Sequence, residues 1–375
     1  MTKNVTRRDW LVGTGAVASG LMLGNNVSAQ SMSDFSAFGE AVTPENPIRM
    51  TNNENPYGLN PKAMKVIIDA YKRAHTYNFT TRRQLIKVIA EMEGISEDHI
   101  AVGAGSGEYL VATGALCGIT GGDLVAPHPT FGSIIRSARN FGANIISVPV
   151  ADDMSINMDA MRKAITNKTT CIYFCNPNNP IPSIIEKNVL EEFCLEFSKK
   201  AMIVIDEAYY EYVRDDSYST MAHLVKNNKN IVVLRTASKI HAFANVRVGF
   251  AFAHPDTLKK LLMFRSGTTT HPSLMGAIES YQDADYQKFV VDKNYESLNI
   301  LYNMFDELNM PYVNAHANFV YANAGRDANE VRSKLRNSGV LIGRKYDPFP
   351  NWIRISTAKP EETEYMVKVY KKEFS

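Results

Sequence analysis

Between residues 100 and 253 the chain repeats one pattern: a short apolar run closed by turn residues, then a stretch with helical spacing, then another run. The runs are Ile100–Val102, Asp123–Ala126, Asn144–Val148, Thr170–Phe174, Met202–Asp206, Asn230–Arg235 and Arg247–Ala253. Helical stretches at Glu108–Cys117, Ser133–Phe141, Met158–Ile165 and Glu186–Lys199 lie between most of them. Short apolar strands alternating with crossover helices imply an α/β architecture whose sheet is mostly parallel and covered on both faces. Upstream, Pro61–Ala74 reads as a helix opened by proline, and Arg82–Glu93 as another, striped by Leu85, Ile86, Val88, Ile89 and Met92. From about Pro255 the pattern becomes long helices, then strands near Asn318–Ala322, Val340–Arg344 and Trp352–Ser356, and a last helix. That tail predicts a second, smaller α+β domain, in keeping with 375 residues being too many for one small core.

Charge excludes one class of partner. The 41 basic and 39 acidic side chains leave a formal charge of +2, and the lysines are scattered, so no nucleic-acid surface is expected. The amino terminus differs from the rest. Arg7 and Arg8 directly precede an apolar run from Leu11 to about Gly24, followed by Val27-Ser28-Ala29, which has small residues at both ends. The run falls short of the about 20 residues that span a bilayer. Residues 1–29 resemble a twin-arginine export signal, with cleavage expected after Ala29. The expected location is therefore periplasmic or secreted, with no stable membrane insertion once the signal is removed. Cys117, Cys171, Cys175 and Cys194 form no CxxC pair and sit among apolar residues, which reads as core packing and predicts no metal site.

The residues that carry chemistry stand at the ends of the runs. Gly103, Gly105 and Gly107 fall between a strand and a helix, where glycine lets the backbone approach a phosphate and helix N–H groups point at it. Alone, they are equally a tight turn, and the spacing is wrong for a dinucleotide fingerprint. Pro129-Thr130-Phe131-Gly132, Asn176-Pro177-Asn178-Asn179-Pro180, Asp206-Glu207-Ala208-Tyr209 and Arg235-Thr236-Ala237-Ser238-Lys239 follow successive strands, and Arg247-Val248-Gly249 begins the next. Open parallel sheets bind ligands at the carboxyl ends of their strands.

In this order the segments resemble the class I/II aminotransferases, and most of all the histidinol-phosphate aminotransferase branch. Asn53-Glu54-Asn55-Pro56-Tyr57-Gly58, Asn318-Phe319 and Trp352-Ile353-Arg354-Ile355 match it too, so the resemblance covers about residues 48 to 370. It implies a fold-type I transferase that depends on pyridoxal 5'-phosphate. Residues 30–54 would form an arm contributing to the small domain and to a homodimer. The large cofactor-binding domain would span 55–255, and the small carboxy-terminal domain 256–375. Lys239, Asp206 and Tyr209 would be catalytic. Lys239 carries the cofactor and moves a proton, Asp206 pairs with the pyridine nitrogen, and Tyr209 donates to the ring hydroxyl oxygen, which Asn179 also bonds. Phe131 would stack on the ring. Ala104, Gly105, Ser106, Thr236, Ser238 and Arg247 would hold the phosphate, joined by Tyr57 from a neighbouring subunit. Arg354 would bind the anionic group of the substrate, with Arg344 and Asn179 beside it.

This chain departs from the family in two places. Ile181-Pro182 stands where Thr-Gly usually follows Asn-Pro, and Ala242 and Asn245 replace glycines after the lysine. Both departures flank the pocket, so the substrate of the resembled branch does not carry over directly. His241 reads as a packed loop histidine. The implied activity is transfer of an amino group between an amino acid or derived amine and a 2-oxo acid. Histidinol-phosphate aminotransferase, a decarboxylase resembling threonine-phosphate decarboxylase, and a binder without turnover are the alternatives.

Overall fold

The computed structural model describes residues 42–374 apart from 266, so the segment read as an export signal lies outside the described residues. Its centre is a sheet of seven strands. Their order is β2 (Ile100–Gly103), β8 (Gly249–Ala253), β7 (Ile231–Thr236), β6 (Met202–Asp206), β5 (Thr169–Cys175), β3 (Asp123–His128), β4 (Asn144–Pro149). All pairings from β7 to β4 are parallel, and β8 runs antiparallel to both its neighbours.

Both faces of the sheet are buried, as its apolar strands require. Ile172, Phe174, Ile203, Ile205 and Val233 join one core, with α1 (Pro61–Tyr71), α2 (Thr80–Glu93), α5 (Met158–Ala164), α6 (Lys187–Phe197) and α8 (His271–Gln282) supplying its helical side. The alternate residues Cys171, Tyr173, Val204, Val232 and Leu234 join the other, against α3 (Ser106–Ile119), α4 (Ser133–Asn140) and α7 (Pro255–Leu262). Each fully buried aliphatic side chain contributes about 1.5–3 kcal/mol, so the two-sided sheet is the rigid platform of the molecule. All four cysteines are free and buried, and no cluster among the described residues could hold a metal ion.

The carboxy-terminal part has its own core around Leu298, Phe305, Val320, Ile353, Ile355 and Met366. There β10 (Phe319–Asn323) lies between β9 (Tyr312–Val313) and β12 (Trp352–Ser356), all antiparallel. Helices α9 (Ala284–Glu307), α10 (Ala328–Asn337) and α11 (Pro360–Phe374) pack around it. The short strand β1 (Ile48–Met50), which the sequence pattern does not announce, pairs in parallel with β11 (Val340–Ile342) and ties the amino-terminal segment to this part. No helix among the described residues is long and apolar enough to cross a membrane.

Two of the boundaries that differ from the sequence reading have clear local reasons. The helix expected from Glu108 begins at Ser106, because Gly105 at φ 86° supplies the reversal that starts it. The strand expected from Arg247 begins at Gly249, because Arg247 takes φ 64° and its N–H turns back to the Phe243 carbonyl. Met92, placed in the apolar stripe of α2, is exposed, while Leu85 and Ile89 carry the contact.

Candidate active site

Strand register assembles the site. Cys175 pairs with Asp206, Asp206 with Leu234, Thr236 with Gly249, and Gly249 with Gly103. The carboxyl ends of β2, β5, β6 and β7 therefore meet at one edge, where their following loops enclose a cavity of about 460 Å³. Its wall contains Ser106, Phe131, Asn179, Asp206, Tyr209, Thr236, Ser238, Lys239, Arg247, Arg344 and Arg354, eleven of the residues singled out from the sequence.

Asp206 lies at the floor, 2 % exposed, and its Oδ1 has no hydrogen-bond partner. Burial pushes its carboxyl up to about 7, against the opposing pull of the Ala208 N–H and of Lys239. A buried carboxylate oxygen without a donor is costly. Next to it in sequence, Glu207 points away into a closed ion pair with Arg235, 2.8 Å from Oε2 to Nε, which steadies the ends of β6 and β7. Lys239 donates from Nζ to the Asn52 carbonyl at 2.9 Å. Burial, and then the neighbouring Arg354 charge, lower its ammonium to about 8, with Asp206 opposing. A neutral amine is thus accessible near physiological pH, which a nucleophilic or proton-carrying lysine needs.

A polar chain crosses the wall above these two groups. Arg354 Nη1 donates to Asn179 Oδ1 at 2.6 Å, Asn179 Nδ2 donates to Tyr209 Oη at 3.3 Å, and Asn53 Nδ2 donates to the same oxygen at 2.8 Å. Arg354 is 6 % exposed, framed by the Phe319 and Tyr346 rings at 5.5 and 5.2 Å, and its Nε has no partner. A buried guanidinium left this incomplete is a built receptor for a carboxylate or phosphate.

On the opposite side lies an anion cup. Ser106 and Gly107 open α3, so their N–H groups have no partner within the helix. Thr236 Oγ1 donates to Ser238 Oγ at 3.0 Å, and Arg247 reaches Ser238 Oγ at 3.2 Å and the Ala104 carbonyl at 2.8 Å. The glycines are required by close approach. A Cβ on Gly105 would sit 2.3 Å from Arg247 Nη2, and one on Gly249 would sit 2.3 Å from the backbone of Gly105 and Ser106. Ala104 and Gly105 thus form the turn behind the cup and do not line the cavity.

These features suit pyridoxal phosphate independently of any resemblance. The orphaned Asp206 oxygen matches a protonated ring nitrogen, the cup matches a phosphate, and Lys239 lines the same cavity. Phe131 presents its ring to the cavity wall, 40 % exposed.

Other residues are placed elsewhere or were not foreseen. Tyr57 stands outside the cavity, against Phe289 at 4.9 Å between ring centroids, with its hydroxyl buried and unpartnered. His241 is fully buried, bonded through Nδ1 to Ser280 Oγ at 2.9 Å and stacked on Tyr281, and burial depresses it to about 3. It is a packed loop residue. Ala242 occupies φ 61°, a conformation that costs a non-glycine residue about 1–2 kcal/mol. The chain accepts that strain in the loop that follows Lys239, where the resemblance leads one to expect glycine. Asn52, Asn53, Arg136 and Tyr346 line the cavity without having been singled out as site residues. Only Asn53 had a signal, as the first residue of a recognisable motif. Arg136 on α4 looked like any exposed helix arginine.

A profile described as aminotransferase class I and II matches residues 45–369. The histidinol-phosphate aminotransferase of Caldicellulosiruptor saccharolyticus is 28% identical over 330 residues, covering 87% of this chain and 92% of that protein. The one from Brevibacillus brevis is 29% identical over 330 residues, covering 86% and 89%. The crystal structure of histidinol-phosphate aminotransferase from Sinorhizobium meliloti in complex with pyridoxal-5'-phosphate superposes with a TM-score of 0.81 at 24% identity, covering 92% of this chain and 100% of that one. It shares the fold.

Proposed function

The chain belongs to the class I and II aminotransferase family, and from that premise we propose that it exchanges amino groups between anionic donors and 2-oxo acids gripped by Arg354, with a donor other than histidinol phosphate. It is a pyridoxal-phosphate-dependent aminotransferase. When bound, the cofactor supplies an aldehyde carbon that condenses with amines and a protonated ring that withdraws electrons from the bonds at the substrate's α-carbon. The chain's own residues do the rest. Asp206 keeps the ring protonated, Tyr209 donates into the cavity, Arg354 orients the substrate, and Lys239 takes and returns the proton.

The observation that carries this reading is the half-satisfied, buried Arg354 guanidinium in the same cavity as Lys239 and Asp206. The experiment is a panel of amino donors added to the purified holoprotein, followed by the loss of cofactor colour and its return with a 2-oxo acid. Carbon dioxide release without amino transfer would sink it in favour of decarboxylation. Colour that no donor bleaches would make the protein a binder.

Histidinol phosphate remains the second reading, favoured by the excess of cations at the cavity. Among the described residues, Arg136, Lys239, Arg247, Arg344 and Arg354 line it against the single carboxylate of Asp206. With Lys239 and Arg247 committed to the cofactor and Arg354 to one anionic charge, Arg136 and Arg344 suit the second charge of a phosphate dianion, the one anionic group of histidinol phosphate. Arg136→Ala is expected to raise KM about tenfold, about 1.4 kcal/mol, for doubly anionic donors and to leave singly anionic ones unchanged. Equal KM values for both classes would remove Arg136 from recognition.

The first ranking rests on the loop departures around Ile181 and Ala242 and on residues 1–29, read as an export signal. Export would place the enzyme in the periplasm or outside the cell, away from phosphorylated biosynthetic intermediates. Replacing Arg7 and Arg8 together by lysine should retain the full chain in the cytoplasmic fraction. Unchanged fractionation would refute export by this route. A homodimer, with Tyr57 expected from the resemblance to complete the partner's phosphate site, accords with the exposed Ile68, Tyr71, Tyr77 and Phe79. Sedimentation equilibrium returning the mass of one chain would dismiss it.

A further inference from the structure

We propose that Asn53 is a positioning residue that fixes the direction of the Tyr209 hydroxyl, forcing its proton into the cofactor cavity. The inference rests on the cofactor reading above and concerns a residue outside the family roles assigned to Lys239, Asp206, Tyr209 and Asn179.

The case is a matter of counting donors. An arginine has no acceptor, so the 2.6 Å contact from Arg354 Nη1 makes the Asn179 atom it meets the carbonyl oxygen. The amide nitrogen of Asn179 must then face Tyr209, as it does at 3.3 Å. Asn53 is held the same way by a different neighbour. Its backbone N–H donates to Ser356 Oγ at 3.0 Å, which occupies that hydroxyl as an acceptor. Ser356 returns its own proton to Asn53 Oδ1 at 2.8 Å. The Asn53 amide nitrogen is thereby turned to Tyr209 Oη, at 2.8 Å.

Tyr209 Oη receives two donors whose orientations are each locked by a third group. Its lone pairs are taken, so its own hydrogen has to point elsewhere, and the cavity is the open side. With the cofactor bound, its ring hydroxyl oxygen would be the acceptor there. Burial raises the Tyr209 phenol, and the Asn53 bond is among the contacts that pull it back. The net upward push from burial keeps the residue a neutral donor rather than an anion.

The backbone is built for this contact. Asn52 and Asn53 both take left-handed conformations, φ 60° and 55°, which asparagine and aspartate tolerate better than most side chains. Asn53 is 1 % exposed. The same turn presents the Asn52 carbonyl to Lys239 Nζ, so one strained dipeptide from the amino-terminal segment touches both the lysine and the tyrosine.

The test is a pH titration of the bound cofactor's visible absorbance in wild type, Asn53→Asp, Tyr209→Phe and the double variant. Asn53→Asp keeps size and backbone preference but presents an acceptor, which takes the phenol proton away from the cavity. A hydrogen bond donated to an oxygen favours its anionic form. Its loss is therefore expected to raise the titration midpoint by about one pH unit. In the Tyr209→Phe background the same substitution is expected to add nothing. A midpoint unmoved by Asn53→Asp overturns the inference. So does an equal shift without Tyr209, because that would be a direct charge effect on Lys239. Ser356→Ala, which unlocks the Asn53 amide from a distance, is expected to give a smaller shift in the same direction, and serves if Asn53→Asp fails to fold by circular dichroism. A wild-type protein that takes up no pyridoxal phosphate sinks the cofactor reading together with this one. A coloured wild type with unmoved variants overturns this one alone.

Discussion

Lys239→Ala yields a folded protein that binds pyridoxal phosphate only reversibly and turns over at least about 10²–10⁴-fold more slowly, the range a positioned proton-transfer group contributes. The physical reason lies in the unusual state of this amine. Burial and the Arg354 charge bring it to about 8, so that it can serve both as nucleophile and as proton carrier. Two measurements check the result: dialysis of the reconstituted variant, which should remove the colour that wild type retains, and single-turnover kinetics with an amino donor. Added methylamine should restore part of the rate, since the missing function is that of a free base. A variant that keeps its colour through dialysis and turns over at the wild-type rate would show that another group attaches the cofactor.

The second large effect belongs to Asp206. Asp206→Asn removes the only carboxylate that the described residues place in the cavity wall while preserving its shape. Breaking one partner of a buried ion pair costs about 3–5 kcal/mol, which corresponds to roughly two to three and a half orders of magnitude in kcat/KM. The effect should fall on kcat more than on KM, because the ring proton matters most when charge develops at the substrate carbon. Loss of less than tenfold would mean that the ring is protonated by something else.

The same substitution has the opposite sign for the cofactor-free protein. Asp206 titrates at about 7 in the fold against 3.8 as its ordinary value, so the folded chain holds this proton more tightly than the unfolded one. The stability it contributes is fully present below the ordinary value and is lost as pH rises through about 7. Asp206→Asn should flatten that decline, leaving the apoprotein with a higher Tm than wild type at pH 8. A parallel pair of Tm–pH curves would remove the buried carboxylate as the cause.

The central sheet was legible because its cause is local. Val204, Val232 and their neighbours are apolar on both faces over five or six residues, and only a doubly covered strand tolerates that composition. Residues at the carboxyl ends of those strands, from Phe131 to Arg247, were legible for the same reason, since the topology leaves one edge of the sheet as the place where they converge. Arg136 was invisible. Helical spacing placed it on α4, but whether an exposed arginine faces solvent or a cavity depends on what the opposite wall is, and that wall includes Arg344 and Tyr346, more than 200 residues away. Asn53 was visible only as part of a motif, and its role depends on Ser356, which lies 303 positions further along.

By itself, then, the amino-acid order determined the sheet and the residue types of its loops, because strand pattern and turn residues act over a few neighbours, while the role expected of Lys239 came from the resemblance of those loops to a known family. Closure of the carboxy-terminal part against the sheet decided which charges share one low-dielectric space, which hydroxyl is aimed where, and that Tyr57 stands outside the cavity formed by this chain. Those outcomes depend on distances between atoms far apart in the chain, and no short-range pattern encodes them.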